Sequence, residues 1–206
     1  MRVVSFSTTA AVAAVLSISS AASADVLLRV DLSTANQVTI TATDGLSAAS
    51  ASGSQFTGVY LDGFYFGPGS SVVISNGSGN LTAAGTASDG TPALFRANSG
   101  SDLGLNIWSF SMSSNLSFTA GSLAFVGSGV WSLDAAQYAN MLAGPDGGNL
   151  YFPADDAGDV PSATLIGTWS RLAAEPDIPE VDVPAPAAIG LLGLGVMMVS
   201  LRRRRS

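Results

Sequence analysis

The chain of 206 residues contains no cysteine, histidine or lysine. These absences exclude disulfides, zinc sites built on Cys or His, Cys–His and Ser–His nucleophilic pairs, and Schiff-base lysines. Carboxylates are the charged side chains that remain for acid–base or metal chemistry. We therefore expect a protein that is not an enzyme and that holds no cofactor.

Positive charge is also scarce, since the eight basic residues are all arginines and five of them lie within six residues of a terminus. Between Asp25 and Val183 fifteen acidic residues face three arginines, a formal charge of −12. Such an acidic body repels a phosphate backbone. Nucleic-acid binding is therefore excluded as a main function.

The N-terminal segment, residues 1–24, is typical of a secretory signal peptide. One positive residue, Arg2, precedes an alanine-rich apolar stretch that is too short to span a bilayer. The small residues Ala22 and Ala24 match the A-x-A ending that signal peptidase reads. The sequence predicts cleavage before Asp25 and export of the remainder.

The C-terminal segment, residues 183–206, combines an apolar run with a basic end. Nineteen uncharged residues, Val183 to Leu201, are followed by Arg202, Arg203, Arg204 and Arg205. About 20 apolar residues cross a membrane, and arginines directly after them stay cytoplasmic. The pattern predicts at least transient membrane insertion, with the body on the outer side.

Together, the two ends resemble the PEP-CTERM sorting signal of Gram-negative, exopolysaccharide-producing bacteria. The likeness rests on the signal peptide, the apolar segment, the arginine cluster and the motif Val183, Pro184, Ala185, Pro186 and Ala187. Ala185 stands where the family's name-giving motif has glutamate, so the motif is similar to the Val-Pro-x-Pro-Ala variants. An ordinary single-span anchor would explain the apolar run and the arginines, but not the Pro-x-Pro.

The resemblance implies a substrate of an exosortase-type membrane transpeptidase. The precursor would be anchored in the inner membrane, and the processed protein would reach the cell surface or extracellular matrix. The likeness covers only the last 24 residues and the signal peptide. It says nothing about the body between them.

An acidic linker, residues 173–182, separates this signal from the body. It carries two prolines and four acids, and such a segment cannot bury enough apolar surface to fold. We therefore expect one folded domain over residues 25–172.

Within the domain, short apolar runs alternate with Gly, Ser, Asn and Asp turns, which predicts an all-β fold. We expect a single β-sandwich, jelly-roll-like, with one short helix at Ala135–Leu142 that Asp134 caps and Gly144-Pro145 ends. The candidate strands are Val26–Leu32, Gln37–Thr43, Gln55–Phe66, Ser71–Ser75, Ala93–Ala97, Leu105–Met112, Leu116–Thr119, Leu123–Leu133 and Thr164–Leu172.

Aromatic residues form two groups with different expected positions. The three tryptophans, Trp108, Trp131 and Trp169, lie in mostly apolar strands and are expected in the core. The run of Tyr60, Phe64, Tyr65 and Phe66 is aromatic on both faces, so one side could be wet, and Tyr60, Phe64 and Tyr65 are the residues expected to face a ligand.

The loop after residue 145 is rich in acids, namely Asp146, Asp155, Asp156 and Asp159. Calcium is the metal that carboxylates and carbonyls alone could hold, but the spacing matches neither the twelve-residue helix–loop–helix motif nor the glycine-rich nonapeptide repeat. A solvated acidic loop is the favoured interpretation.

The sequence therefore favours an exported, non-enzymatic structural protein of the envelope or extracellular matrix. The alternative is a secreted carbohydrate-binding module that uses an aromatic face to bind exopolysaccharide.

Overall fold

The computed structural model describes residues 24–88, 90–97, 102–109 and 114–172. The predicted signal peptide up to Ser23, and the linker and sorting signal from Ala173 onward, lie outside these residues. The described part is mostly β with one short helix, which confirms the predicted class. The strands are β1 Val26–Asp31, β2 Gln37–Ala42, β3 Ala51–Ser54, β4 Val59–Leu61, β5 Val72–Ile74, β6 Ser78–Gly79, β7 Thr82–Ala83, β8 Ala93–Arg96, β9 Leu105–Trp108, β10 Asn115–Phe118, β11 Phe125–Val126, β12 Ser128–Ser132, β13 Gly147–Phe152 and β14 Thr164–Arg171.

Ten of these strands form one large sheet in the order β5-β8-β9-β4-β13-β14-β1-β2-β12-β6. Its neighbours are antiparallel except β1 and β14, which run parallel, with Val30 opposite Arg171. The remaining strands form two ribbons, β3 with β10 and β7 with β11. The first and last strands of the domain therefore lie side by side in the middle of the sheet.

The large sheet curls until its two ends are in contact. Strands β5 and β6 lie at opposite ends of the order but are joined by residues 75–77 alone. Trp131 of β12 donates its indole N–H to the carbonyl of Pro92, next to β8, at 2.8 Å. Asn76 donates its side-chain amide to the carbonyl of Ser132 at 3.3 Å. These two bonds tie the ends of the sheet together.

The inner face of the curl holds the hydrophobic core. Alternate residues point inward, as in β2, where Val38 and Ile40 are buried. Trp131 and Trp169 are buried as predicted. The ribbons close the core, since the Phe118 ring of β10 lies 5.0 Å from the Phe152 ring of β13.

One central strand was not expected. Strand β13 lies where the sequence predicted the beginning of the acidic loop, and it pairs with both β4 and β14. Its glycines explain the difference, because a Cβ at Gly148 would collide with the carbonyl of Asp62 and the indole of Trp169. Leu150 and Phe152 then alternate into the core. The glycine pair is part of a tightly packed strand.

Two predicted strands are shorter than expected because glycines interrupt them. Gly58 has φ +83°, so the predicted strand Gln55–Phe66 keeps only β4. Gly127 has φ +81° and divides the predicted strand Leu123–Leu133 into β11 and β12. Only glycine adopts such angles without steric cost.

The single described helix, α1, spans Ala135–Leu142 as predicted. The Asp134 side chain accepts from the backbone N–H of Gln137 at 2.7 Å, and the backbone N–H of Asp134 donates to the Gln137 side-chain oxygen at 3.4 Å. Arg171 donates to the carbonyls of Met141 and Leu142 and so satisfies the last turn. Across the described ranges, no helix has the length and apolar character needed to cross a membrane.

Trp131 packs against Gly77 and Thr91 where the ends of the sheet meet, and we call this contact the tryptophan seam. Its packing can be tested with a Gly77→Ala substitution. A Cβ at Gly77 would lie 2.7 Å from Thr91 Cγ2 and would collide with the Trp131 indole. We expect a loss of about 1–3 kcal/mol in the free energy of unfolding, measured in urea.

Gly67→Ala is the matched control, because a Cβ there meets nothing within 4 Å. We expect this variant to change stability by no more than about 0.5 kcal/mol. Equal stability of the two variants would contradict the close packing of the seam.

Candidate functional site

The three aromatic residues that were expected to face a ligand are buried. Tyr60, Phe64 and Tyr65 each expose 1% of their surface. The Tyr60 hydroxyl donates to the carboxylate of Asp102, and the Phe64 ring lies 5.1 Å from the Trp169 ring. The prediction of a partly wet aromatic face is wrong for these three residues, because Tyr60 belongs to a buried polar network and Phe64 packs in the core. Phe66, the fourth aromatic residue of the run, is 72% exposed.

Apolar side chains are instead exposed on the outer face of strands β5, β8 and β9. Val73 pairs with Phe95 and Phe95 pairs with Asn106, so the three side chains form a row across the sheet. Trp108 lies two residues after Asn106 on the same face. The intervening residue, Ile107, points inward and is buried.

This row lines a surface pocket of about 230 Å³. Phe56, from the loop before β4, and Asp155, from the loop after β13, complete its wall. Phe56 is 59% exposed and Val73 53% exposed. Trp108 is half-buried and lines this pocket, so its predicted place in the core is wrong. The volume lies below the range of drug-sized ligand sites and suits one small group.

The polar atoms of the pocket wall are unevenly distributed. Asn106 uses its amide hydrogens on the carbonyls of Thr57 and Ala154, at 2.6 and 2.7 Å. The indole N–H of Trp108 is buried and has no acceptor among the described residues. The described side chains of the wall therefore offer a ligand apolar surface and the Asp155 carboxylate, but no accessible donor.

Three of the four acids named as calcium candidates come together beside this pocket. Asp155, Asp156 and Asp159 place carboxylate oxygens within 4.8 Å of one another. The loop supports itself, since the N–H of Asp155 donates to Asp159 Oδ2 at 3.2 Å, and the N–H of Gly158 donates to Asp156 Oδ1 at 2.6 Å. We name these three residues the acidic triad.

The fourth acid, Asp146, lies apart from the acidic triad, directly before β13. Its carboxylate is 3.7 Å from the Arg171 guanidinium, and its side chain is 92% exposed. An ion pair this exposed contributes little to stability. Asp146 is therefore not part of the candidate site.

The acidic triad is a site of like-charge repulsion. Partial burial raises the pKa of Asp155, and the negative charges of Asp159 and Asp156, a hydrogen bond with Asp159, and the charge of Asp102 raise it further. The charged groups that act on Asp155 in this way are all carboxylates. The side of the pocket next to the triad is therefore strongly negative.

Beneath the loop, Asp102 is a buried carboxylate that accepts three hydrogen bonds. Its Oδ1 accepts from the Tyr60 hydroxyl at 2.5 Å and from the N–H of Gly104 at 2.8 Å. Its Oδ2 accepts from the N–H of Ala157 at 3.0 Å. Burial, followed by the bond to Asp102, raises the pKa of Tyr60, so the hydroxyl stays protonated and donates. This network attaches the acidic loop to the sheet.

Sequence reasoning missed Asp102, Phe56 and Phe95. Asp102 stands in a Ser/Gly-rich stretch that looks like a solvated turn. The one nearby hint of its burial is Gly104, where a Cβ would collide with the Tyr60 ring. Phe95 was detectable as the outward position of an alternating strand. Phe56 lies in a turn and carries no periodic signal.

No family model matches the chain, and neither the comparison with curated proteins nor that with solved structures gives a match. The chemistry of the chain's two ends and of this pocket is therefore what indicates a function.

The charged hydrogen bond of Tyr60 can be tested with Tyr60→Phe. This variant removes one of three donors from a buried carboxylate, so we expect a loss of about 1.5–3 kcal/mol in urea unfolding. Tyr138→Phe is the control, since the Tyr138 hydroxyl donates at 2.7 Å to the neutral carbonyl of Leu32. It should lose about 0.5–1.5 kcal/mol, and equal losses would contradict the stronger bond to Asp102.

Repulsion within the acidic triad predicts a pH dependence. Because the pKa of Asp155 is raised on folding, the folded protein keeps a proton that the unfolded chain has lost, and this contribution to stability disappears as the pH rises through the raised pKa. We expect Asp155→Asn to raise Tm by on the order of 1–2 °C at pH 7, a small value because the group is exposed. The gain should shrink towards pH 4.

Asp44→Asn is the matched control, with the same charge change in an exposed position of a separate surface depression. Thermal unfolding of both variants from pH 4 to pH 8 gives the comparison. The explanation fails if Asp155→Asn gains no more than Asp44→Asn at pH 7.

Proposed function

We propose that this chain is an exported, non-enzymatic structural protein of the cell envelope or extracellular matrix, matured by signal peptidase and an exosortase-type enzyme. Its precursor would be held in the inner membrane before release to the surface. The observation that supports it most directly is that the first strand starts beside the predicted signal-peptide cleavage site and the last strand ends beside the predicted linker. In the described part, Ala24 and Asp25 precede β1, and Leu172 follows β14.

The N-terminal junction supports the proposed cleavage site. Asp25 is exposed, yet its carbonyl accepts from the N–H of Thr168 and its side chain accepts from the N–H of Leu46, both at 2.9 Å. Cleavage before Asp25 would therefore keep Asp25, which is hydrogen-bonded to Thr168 and Leu46. It would also leave β1 complete, which matters because β1 lies between β14 and β2.

The C-terminal junction supports a linker that starts after Leu172. The N–H of Leu172 still donates to the carbonyl of Val30 at 2.8 Å, while its side chain is 42% exposed. The chain thus leaves the sheet at the surface. A processing enzyme could act on the following segment without unfolding the sheet.

The acidic loop lies far from this exit. Phe152 pairs with Thr164, so the loop between β13 and β14 lies at the start of β14, whereas Leu172 follows its end. Eight residues of β14 span about 25 Å. A tether at Leu172 would leave the pocket and the acidic triad accessible.

We infer further that the curled sheet is a single, jelly-roll-like sandwich. The Trp131–Pro92 bond across the sheet ends supports this inference, as does the packing of the Phe118 ring on Phe125 at 5.2 Å and on Phe152 at 5.0 Å. The halves of the sheet and the ribbons then enclose one core.

The carbohydrate-binding alternative needs a contact surface other than the three aromatic residues that were predicted to face a ligand. Tyr60, Phe64 and Tyr65 are buried, so a sugar would stack on Phe56, Phe95 or Trp108 in the pocket, or on Phe66, which is 72% exposed. The aromatic wall favours this function, whereas the lack of accessible side-chain donors in the wall weighs against it.

Processing can be tested by replacing both Pro184 and Pro186 with alanine. Proline keeps the motif extended and outside the membrane helix, where an enzyme can bind it. In the native host, intact-mass analysis of the wild-type protein should find neither residues 1–24 nor the stretch after about Ala187. The variant should remain uncut in the inner membrane.

The control replaces Pro176 and Pro179 of the linker with alanine, the same change outside the motif. This control should mature like the wild type. Recovery of wild-type protein that still ends in Arg205-Ser206 would overturn the proposal and indicate a plain membrane anchor.

A further inference from the structure

The pocket on the outer face of β5, β8 and β9 combines two chemical features that seldom serve a purely structural surface. Three aromatic side chains, Phe56, Phe95 and Trp108, line it together with Val73. Asp155 stands at the same pocket and brings the negative charge of the acidic triad to its wall. A ligand would meet apolar surface and carboxylate oxygens at once.

The donors and acceptors of the pocket wall limit which ligands it can bind. The wall presents acceptor oxygens on Asp155, whereas the amide hydrogens of Asn106 are used and the Trp108 N–H is buried. A neutral sugar needs both donors and acceptors for its hydroxyl groups. A ligand that carries donors or positive charge, and that needs no donor from the wall, fits this pocket better.

The arginines of the described domain do not neutralise this charge. The Arg96 guanidinium lies 3.8 Å from the centre of the Tyr65 ring, and its residue is buried on the inner side of the sheet. Arg171 binds helix carbonyls and Asp146, and Arg29 lines a separate depression. The acidic triad therefore has no counter-charge among the described side chains.

We propose that this pocket binds a small organic cation, namely an ammonium group that carries apolar substituents. The positive centre would lie against Asp155 and relieve the repulsion from Asp156 and Asp159. The substituents would contact Phe56, Phe95 and Trp108, whose rings attract cations. This binding activity goes beyond the proposed structural role and does not depend on export or processing.

A bare metal ion would use the acidic side of the pocket but not its aromatic side. Calcium would use the carboxylates, but it gains nothing from the aromatic wall, because it takes oxygen ligands. Binding measurements are therefore best made in metal-free buffer, so that the triad is open to the organic cation.

The test compares choline with its neutral isostere 3,3-dimethylbutan-1-ol, which has the same shape without the charge. We expect calorimetric titration of the full-length protein at pH 7 and low salt to show choline binding about tenfold tighter than the isostere. Asp155→Asn should weaken choline binding about fivefold or more, and Phe56→Ala about threefold. Asp44→Asn, the charge-matched control, should bind like the wild type.

These variants separate binding from folding. Asp155→Asn is expected to be slightly more stable than the wild type, and Phe56 is largely exposed, so a loss of binding would not report unfolding. Glucosamine and N-acetylglucosamine are the sugar controls. Choline as the tighter ligand supports the proposal, whereas glucosamine as the tighter ligand would contradict it, because its substituents are hydroxyl groups and not apolar groups.

Three further results would overturn the proposal. Absence of choline and glucosamine binding would remove the site. Equal affinity for the isostere, or for N-acetylglucosamine, would make the pocket a neutral surface and favour the carbohydrate-binding alternative. An equal effect of Asp155→Asn and Asp44→Asn would attribute binding to the overall charge of the domain.

Discussion

A three-residue link, Ser75 to Gly77, joins the two edge strands of the ten-stranded sheet. A flat sheet of ten strands would hold its edges about 43 Å apart. The chain from Ile74 to Ser78 can span roughly 14 Å when fully extended. The sheet must therefore curl, and the space where its ends meet is filled by Trp131. Gly77 and Gly129 lack side chains where the indole lies, so the link, the tryptophan and the glycines act as one structural unit.

The curl divides the sheet into an inner face that is packed and an outer face that is covered only in part. On the outer side of β4, the network of Tyr60 and Asp102 attaches the loop after β13 to the sheet, and Tyr60 is buried. No described loop gives the same cover to Val73 and Phe95, so their strands keep an apolar outer surface. The pocket is thus the place where the covering loop ends, which is why aromatic side chains and the acidic triad meet there.

The features that could be predicted from sequence are those that neighbouring residues determine. Helix α1 was predictable because Asp134 caps it locally and the glycine and proline after residue 143 end it. Strand β13 was missed because its glycines are explained by Asp62 and Trp169, which are distant in sequence. The burial of Tyr60 depends on Asp102, 42 residues away. The all-β class follows from local patterns, whereas the positions of Tyr60 and Phe56 follow from how the sheet closes.

Two carboxylates of the domain, Asp102 and Asp155, lie in opposite electrostatic surroundings. Asp102 is buried but receives three donors, one from a hydroxyl and two from backbone N–H groups, so its charge is compensated within the fold. Asp155 lies a short distance above it, at the pocket, and the groups that raise its pKa include three further acids. The chain has three arginines between Asp25 and Val183, so few cations are available for that position. Among the described residues, hydrogen bonds compensate the charge of Asp102, which holds the loop in place, and no cation compensates the charge of Asp155 at the pocket.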